Sequence, residues 1–422
     1  MLTLLTTILG KTVQRAARLR GGGSALPGLV VEKINPKYTA DLLSTLEYGT
    51  VVISGTNGKT TTTKIVVELL ESQGLKVLTN KTGSNFSRGV TATIIDQVTT
   101  GGKLDADIAV LELDEAHAVH FVKAIPPTYS LLLNVMRDQL DRFGEIDATA
   151  KLLNEIAKST TKTIILNRED PLIARSAQFA GDDVSVKYFG LSDKTRDLFP
   201  NDEGSAHHSE SPAKTPAAVE LAELSGNQAK FTINKTEYET TLTLKGIYNA
   251  FNAAAAIALV TSIIEDQTSH SKLIEDLALI RPAFGRGETI KIGETEIDLV
   301  LVKNPGGLSL ALQSFSPEGY QTAFAINDNY SDGRDMSWLW DVSFDSLLHQ
   351  GVSVATGVRA YDMALRLQYD EVAVDTVEPD INQAVDHLLK LLGRKKRIYC
   401  TYTAMLSIRK KLSKLSDIEE VL

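Results

Sequence analysis

The sequence predicts an α/β protein with two main domains, each carrying a mostly parallel sheet. Three observations lead to this class. The chain has 422 residues, more than one hydrophobic core usually serves. Short aliphatic, β-branched runs alternate with helical patterns from Val51 onward. One of these strand-to-helix junctions, Val51 to Thr62, contains Gly55-Thr56-Asn57-Gly58-Lys59-Thr60-Thr61. Turn glycines let backbone N–H groups converge on one concavity, and the dipole of the following helix makes it positive. Lys59 supplies a cation for terminal phosphates, and the Thr60 hydroxyl suits Mg²⁺. The longer phosphate-loop pattern asks for a glycine where Ile53 stands, so only the shorter form is intact.

Composition narrows the function classes. A hydrophobic fraction of 43% is enough to fill cores, and a net charge of −9 argues against a general nucleic-acid binder. Cys400 is the one cysteine, which leaves no intramolecular disulfide and no cysteine-rich zinc site and suits a reducing cytoplasm.

At the N-terminus the apolar residues precede Lys11, Arg15, Arg18 and Arg20, the reverse of a signal peptide, and the run is too short to span a bilayer. Leu2, Leu5, Leu9, Val13 and Ala16 fall near one helical face. Two readings stay open: a helix docked on the body, or a helix touching an anionic membrane surface, since no acidic residue occurs before Glu32. Gly21-Gly22-Gly23-Ser24 ends this helix, Pro27 starts a loop, and Ile34 to Leu46 reads as a short helix.

After the first glycine turn, a helix runs from Thr60 through Leu70, followed by a strand at Leu75–Thr79 and a small polar loop, Asn80 to Asn85. Ile108 to Glu115 is a buried-type strand ending in Glu112, Asp114 and Glu115, at the sheet edge where parallel α/β folds place ligands. A carboxylate there would hold Mg²⁺ beside a triphosphate; a solvated acidic cluster is the plainer reading. His117 and His120 have a metal-compatible spacing but no further local ligands, and read as surface or packing residues. Strands follow at Tyr129–Asn134 and Thr163–Asn167, with a helix from Asp147 to Ser159 that carries Lys151.

Residues 192–216, rich in Ser, Asp, Lys and Pro and containing His207-His208, read as a mobile loop. Ala229 to Leu244 alternates like a hairpin, and an Ala-rich helix runs to Ile264. Arg281 to Glu288 reads as an interdomain hinge. Strands of the second unit are expected at Ile297–Val302, Thr322–Asn327, Gly351–Thr356, Glu371–Val374 and Arg397–Thr401, with a closing helix at Leu406–Leu415. The acidic loop from Asn327 to Asp341 holds both tryptophans and suggests a site or an interface. The expected boundaries are 1–45 for an N-terminal helical segment packed on the central domain, 46–285 for the nucleotide domain, and 286–422 for the C-terminal domain.

In order, these motifs resemble the Mur ligase superfamily. They are the turn at 55–61, Glu112, Asn134 before Asp138-Gln139-Leu140-Asp141, Leu166-Asn167 with Asp170-Pro171, Gly246-x-x-Asn249-x-x-Asn252, and Arg286-x-Glu288. Within it the chain is similar to the MurT family, the ATP-using subunits of lipid II isoglutaminyl synthase. That similarity rests on Asp138 to Arg142, on the early glycine run with Leu26-Pro27-Gly28, on the loop Asp328 to Trp338, and on Thr401 to Leu406. There are departures. The family's four-cysteine zinc ribbon has no cysteines here, so no zinc is expected. Val300 to Pro305 lacks the aspartate many Mur ligases carry after the hinge, and a domain for a UDP-linked substrate has no counterpart before the first strand.

The resemblance implies a Mur-ligase-like P-loop central domain with a Rossmann-like C-terminal domain. It implies ATP and Mg²⁺, and amidation of the D-glutamate α-carboxylate in the lipid II stem peptide through an acyl phosphate, in peptidoglycan synthesis at the cytoplasmic side of the membrane. Gly55, Thr56, Asn57, Gly58, Lys59, Thr60 and Thr61 would hold phosphates, with Arg286 as a further phosphate ligand. Thr60 and Glu112 would hold Mg²⁺; Asn167, Asn249 and Asn252 would meet adenine or ribose. Lys151 lies where several Mur ligases carry a carbamylated lysine, or is an ordinary helical lysine. A separate GatD-like glutaminase subunit would supply ammonia, with Asp335 completing its Cys–His pair and Asp328 and Asp332 as alternatives. The competing readings are a stand-alone Mur or folylpolyglutamate-type amino-acid ligase and a non-catalytic nucleotide-binding scaffold.

Overall fold

A computed structural model describes residues 2–19, 26–80, 87–136, 146–196, 198, 215–265, 269–282, 286–393 and 395–416. Among these residues the strands form two sheets. The first has the order β2-β3-β1-β4-β5-β6-β7-β8-β9. Its strands are β1 (Thr50–Ser54), β2 (Val77–Thr79), β3 (Ile108–Glu112), β4 (Tyr129–Leu132), β5 (Thr163–Asn167), β6 (Ser185–Leu191), β7 (Val219–Ser225), β8 (Gln228–Ile233) and β9 (Thr236–Thr241). Pairing is parallel from β2 through β7 and antiparallel across β7, β8 and β9.

Every residue of β1 and β3 is buried, as expected for strands covered on both faces. The pleat sends Val51 and Ile53 to one core and Val52 to the other. On the first side lie α4 (Lys59–Ser72) and the helix Ile247–Ile264. On the second lie α1 (Leu2–Leu19), α2 (Leu26–Ile34), α3 (Tyr38–Leu43), α5 (Ser87–Gln97), α6 (Glu115–Ala124) and α7 (Ile146–Ser159). The helix Ile247–Ile264, α8, is long and apolar enough to cross a membrane, yet 83% of that stretch is buried in the protein. It is apolar all round because α4 covers one side and β5–β7 the other.

The second sheet has the order β10-β11-β15-β12-β13-β14, with β10 (Arg286–Ile292) antiparallel to β11 (Thr295–Leu301). The remaining pairs, among β11, β12 (Gln321–Ala325), β13 (Val352–Thr356), β14 (Val374–Glu378) and β15 (Lys395–Cys400), are parallel. Two buried clusters flank this sheet, one around Phe324 and Tyr399 and one around Ile398 and Met405.

Several local expectations change. Pro27 is inside α2 rather than in a loop, because proline in a first helical turn forfeits no intrahelical bond. The single helix expected over 34–46 is shorter, Tyr38–Leu43. The first part of the stretch 192–216, expected as a mobile loop, is ordered: Asp193–Arg196 is helical, and Thr195 is buried with its hydroxyl donating to the Leu221 carbonyl at 2.7 Å. Residues 199–214 of that stretch, including His207-His208, lie outside the described residues. The strand expected at 371–374 is displaced to Val374–Glu378, since Glu371 adopts φ 59° in the preceding turn. The expected hinge already begins β10 at Arg286. Asp138 to Arg142, part of the resemblance, also lie outside the described residues.

Candidate functional site

The site forms where β1 ends and α4 begins. Gly55 takes φ 133° and Gly58 φ 88°, conformations that L side chains rarely adopt. Asn134 at the end of β4 shapes the loop between them. Its Oδ1 accepts the Asn57 N–H at 2.8 Å, its Nδ2 donates to the Asn57 carbonyl at 3.0 Å, and its carbonyl accepts the Thr56 N–H at 2.9 Å. Gly58 lies against Asn252 of α8: a Cβ there would stand 2.5 Å from the Asn252 Oδ1. A Gly58→Ala substitution therefore combines a disfavoured φ with a clash, and about 1–3 kcal/mol of strain falls on the loop. We expect it to weaken ATP binding at least tenfold, measured by titration calorimetry, and to lower Tm.

Lys59 is buried, and its Nζ donates to the Gly55 carbonyl at 2.5 Å, with a Glu115 carboxylate oxygen 3.4 Å away. Burial raises the Glu115 pKa, but Lys59 and then Lys303 outweigh it and hold the carboxylate below its ordinary range. Asp114 moves the other way: burial, opposed by Lys59, pushes it above the usual carboxylate range. Its Oδ1 is buried and has no hydrogen-bond partner among the described residues.

Thr60 donates its hydroxyl to Glu112 Oε1 at 2.9 Å. Arg286, from the first residue of β10, donates to the same hydroxyl at 3.1 Å. Burial lowers the Arg286 pKa and Glu112 opposes the shift. Glu112 itself is placed by Asn80, whose amide brackets the Glu112 backbone with two 2.9 Å bonds, one to its N–H and one to its carbonyl. The Thr60 hydroxyl and Glu112 carboxylate are hard oxygen donors, a pair that fits Mg²⁺.

The second domain closes over the loop. Lys303 Nζ donates to the Thr56 carbonyl at 3.0 Å. The Asn304 and Asn57 amides pair reciprocally at 3.1 and 3.0 Å. Asn304 also caps α9 (Pro305–Ser314), accepting the Gly307 N–H at 2.8 Å. So the segment that lacks the family's aspartate still reaches the phosphate loop, through Lys303 and Asn304. The sequence does not point to Lys303 or Asn304 as site residues; a polar residue directly after a strand is the available signal.

Other expected residues are placed differently. Asn252 meets the loop, but the Asn167 amide is engaged in tying strand ends together, donating to the Leu133 carbonyl at 2.7 Å and accepting the Glu169 N–H at 2.9 Å. Asn249 donates to the Lys245 carbonyl at 2.7 Å and packs near Gly287. Thr61 is buried in the first turn of α4. Lys151 is exposed on α7 and lines a different cleft with Asp147, Asn154 and Arg175, so the fold does not gather it with Lys59 and Glu112. Among the described residues no group of three His, Cys, Asp or Glu could hold a metal by itself, and His117 and His120 lie on α6 with His120 exposed.

The acidic loop divides its work. Trp338 is buried in the core around Phe324, whereas Trp340 is half exposed and meets Tyr369 edge-on at 5.1 Å. Asp332 is buried, accepting from the Thr403 N–H at 2.7 Å and hydroxyl at 2.6 Å. Asp328 is paired with Arg359 at 2.7 Å. Asp335 is half-buried, and its Oδ1 accepts the Ser337 N–H at 2.8 Å.

Comparison with known proteins agrees with this geometry. Residues 53–260 match the Mur ligase middle domain, and residues 301–405 match the MurT ligase C-terminal domain. The lipid II isoglutaminyl synthase (glutamine-hydrolyzing) subunit MurT of Streptococcus pneumoniae is 32% identical, covering 97% of both chains. The corresponding subunit of Staphylococcus aureus is 29% identical over 91% of this chain and 92% of its own. Among solved structures, a pseudomurein peptide ligase type C from Methanothermus fervidus aligns with TM-score 0.68 at 19% identity, over 92% of this chain and 84% of its own. MurF from Thermotoga maritima, solved in complex with ADP, aligns with TM-score 0.67 at 17% identity, over 90% of this chain and 84% of its own. An intact phosphate loop, a second domain that reaches it, and this identity along the whole chain together place the protein in the MurT family of the Mur ligases, ATP-dependent ligases of peptidoglycan synthesis.

Proposed function

We propose that the chain amidates the α-carboxylate of D-glutamate in the lipid II stem peptide, using ATP and ammonia delivered by a GatD-like glutaminase subunit. The carrying observation is the convergence of Lys59, Thr60, Glu112, Arg286 and Lys303 on one glycine turn. A carboxylate oxygen attacks the γ-phosphorus, the bond to the β,γ-bridging oxygen breaks, and ADP leaves. Ammonia then attacks the acyl carbon, the acyl–oxygen bond breaks, and inorganic phosphate leaves as the nitrogen loses a proton. For the first step the protein mainly positions and neutralises charge. The loop N–H groups and Lys59 hold the β- and γ-phosphates, while Arg286 and Lys303 approach from the second domain. Thr60 and Glu112 would hold Mg²⁺, which would neutralise phosphate charge. Lys151 has no role in this reading.

The glutaminase surface is proposed on the C-terminal domain. The helix Ala360–Tyr369, α10, carries Tyr361 and Tyr369, each 69% exposed, with Leu365 between them. The acidic loop is tied to the start of this helix by Asp328–Arg359 and by the Val358 N–H donating to Asn327 Oδ1 at 3.0 Å. The acidic loop that carries Asp335 adjoins the aromatic face, which supports reading the two as one aromatic-rich protein interface. The location is the cytoplasm, at the inner face of the membrane where a lipid-linked acceptor lies.

The test is reconstitution with a glutaminase subunit, lipid II, ATP and glutamine, followed by mass analysis of the lipid. An O-to-NH exchange with release of phosphate is expected. Phosphate release with an amino acid in place of glutamine or ammonia would instead indicate a stand-alone ligase.

A further inference from the structure

Helix α1 turns its apolar side away from the protein. An amphipathic helix of a soluble domain ordinarily buries its leucines. Here Thr6, Thr7, Gly10 and Ala17 face the body. Thr7 Oγ1 shares a 2.9 Å hydrogen bond with the Tyr38 hydroxyl, and a Cβ on Gly10 would stand 3.0 Å from Val31 and 3.2 Å from Ile95. Gln14 Nε2 completes the seat by donating to Asp96 Oδ1 at 3.2 Å. The opposite face exposes Leu5, Ile8, Leu9 and Leu19, with Leu5 at 59% and Leu19 at 88%, while Leu4 borders the body beside Gly102. The small-residue face fits closely, so the leucines are not waiting for a different position on the same body.

We propose that this outward stripe is a docking face for an anionic lipid bilayer. Arg15 is exposed on the stripe, Lys11 borders it with its Nζ 3.4 Å from the Asp96 carbonyl, and no acidic residue occurs from Leu2 to Val31, in a chain whose net charge is −9. That local reversal of sign complements an anionic surface and not a neutral one. A helix lying in the interface sinks its apolar face about 5–10 Å, a depth the leucine side chains reach while the threonine face stays on the protein. A second copy of this chain would bury the leucines equally well, but it would bring Arg15 against its own kind. The inference stands on α1 alone and is independent of the amidation reading, because vesicle binding is measured without turnover.

The experiment is co-sedimentation of the full chain with unilamellar vesicles of phosphatidylglycerol and phosphatidylcholine, against phosphatidylcholine alone. Binding is expected only with phosphatidylglycerol present, and weakened by salt at about 0.5 M. The double substitution Leu5→Glu with Ile8→Glu should lower binding at least about tenfold, and Arg15→Glu by less. All three positions are exposed, so circular dichroism and ATP affinity should match the parent. Equal binding to neutral vesicles, no binding to anionic ones, or unchanged binding of the double variant would overturn the proposal. So would a parent dimer, seen by light scattering, that the double variant splits while neither form binds vesicles.

Discussion

Replacing Lys59 with alanine is expected to reduce ATP-dependent phosphate release by about 10²–10³-fold, whether glutamine or free ammonia supplies the nitrogen. In the proposed reaction the lysine serves the step before nitrogen enters. Its Nζ sits in the loop, 2.5 Å from the Gly55 carbonyl, and is the buried cation nearest Glu115. The same burial complicates the measurement. Removing Lys59 leaves the buried Glu115 carboxylate with less compensation, a kind of loss that costs about 3–5 kcal/mol when a buried pair is broken. A second variant separates the two effects. Lys59→Ala combined with Glu115→Gln removes the uncompensated charge, so Tm should recover toward the parent while phosphate release stays low. Recovery of turnover in that double variant would show that Lys59 matters to folding and not to the phosphates.

Asp335→Asn is expected to lower glutamine-dependent amidation at least a hundredfold and to leave ammonia-dependent amidation near the parent rate. An aspartate beside a histidine holds its tautomer and stabilises the imidazolium, and the amide cannot do the second. Asparagine keeps a carbonyl oxygen for the Ser337 N–H, so the local turn should persist. The three aspartates of the loop also behave differently. Asp332→Asn disturbs the bonds to Thr403 that anchor the loop, so both nitrogen sources should suffer and Tm should fall. Asp328→Asn breaks the pair with Arg359, which positions the start of α10. Introducing a charge on the exposed helix face, by Tyr361→Glu with Leu365→Glu, should abolish co-purification of the glutaminase and spare ammonia-dependent turnover. If Asp335→Asn retained full glutamine-dependent turnover, the assignment would be wrong.

The phosphate loop was legible because its information is local. A buried strand, two glycines at φ values that need glycine, and a helix start all lie within Thr50–Ser72, so pattern and chemistry read together. Glu112 was legible for a related reason: a parallel strand ends at the ligand edge, and its last residue points there. The contacts from the second domain were not. Asn57 and Asn304 are 247 positions apart, and nothing in either local sequence says that one amide faces the other. Asn167 and Asn249 show the converse. Their residue type suited a nucleotide, but the Leu133 carbonyl, 34 positions away, takes the Asn167 amide and the Lys245 carbonyl, one helical turn away, takes that of Asn249.

The sequence alone determined the α/β class, the glycine turn, its lysine and threonine, and the acidic strand tip, because each is set by periodicity and by conformations few residues can adopt. The tertiary structure decided which side of α1 meets the protein, that Lys151 stands apart, and that Lys303 and Asn304 close over the loop. Those outcomes depend on the shape of surfaces made by residues distant in the chain: a helix buries the face that finds a complementary seat, and here threonine, glycine and alanine fitted where leucine did not.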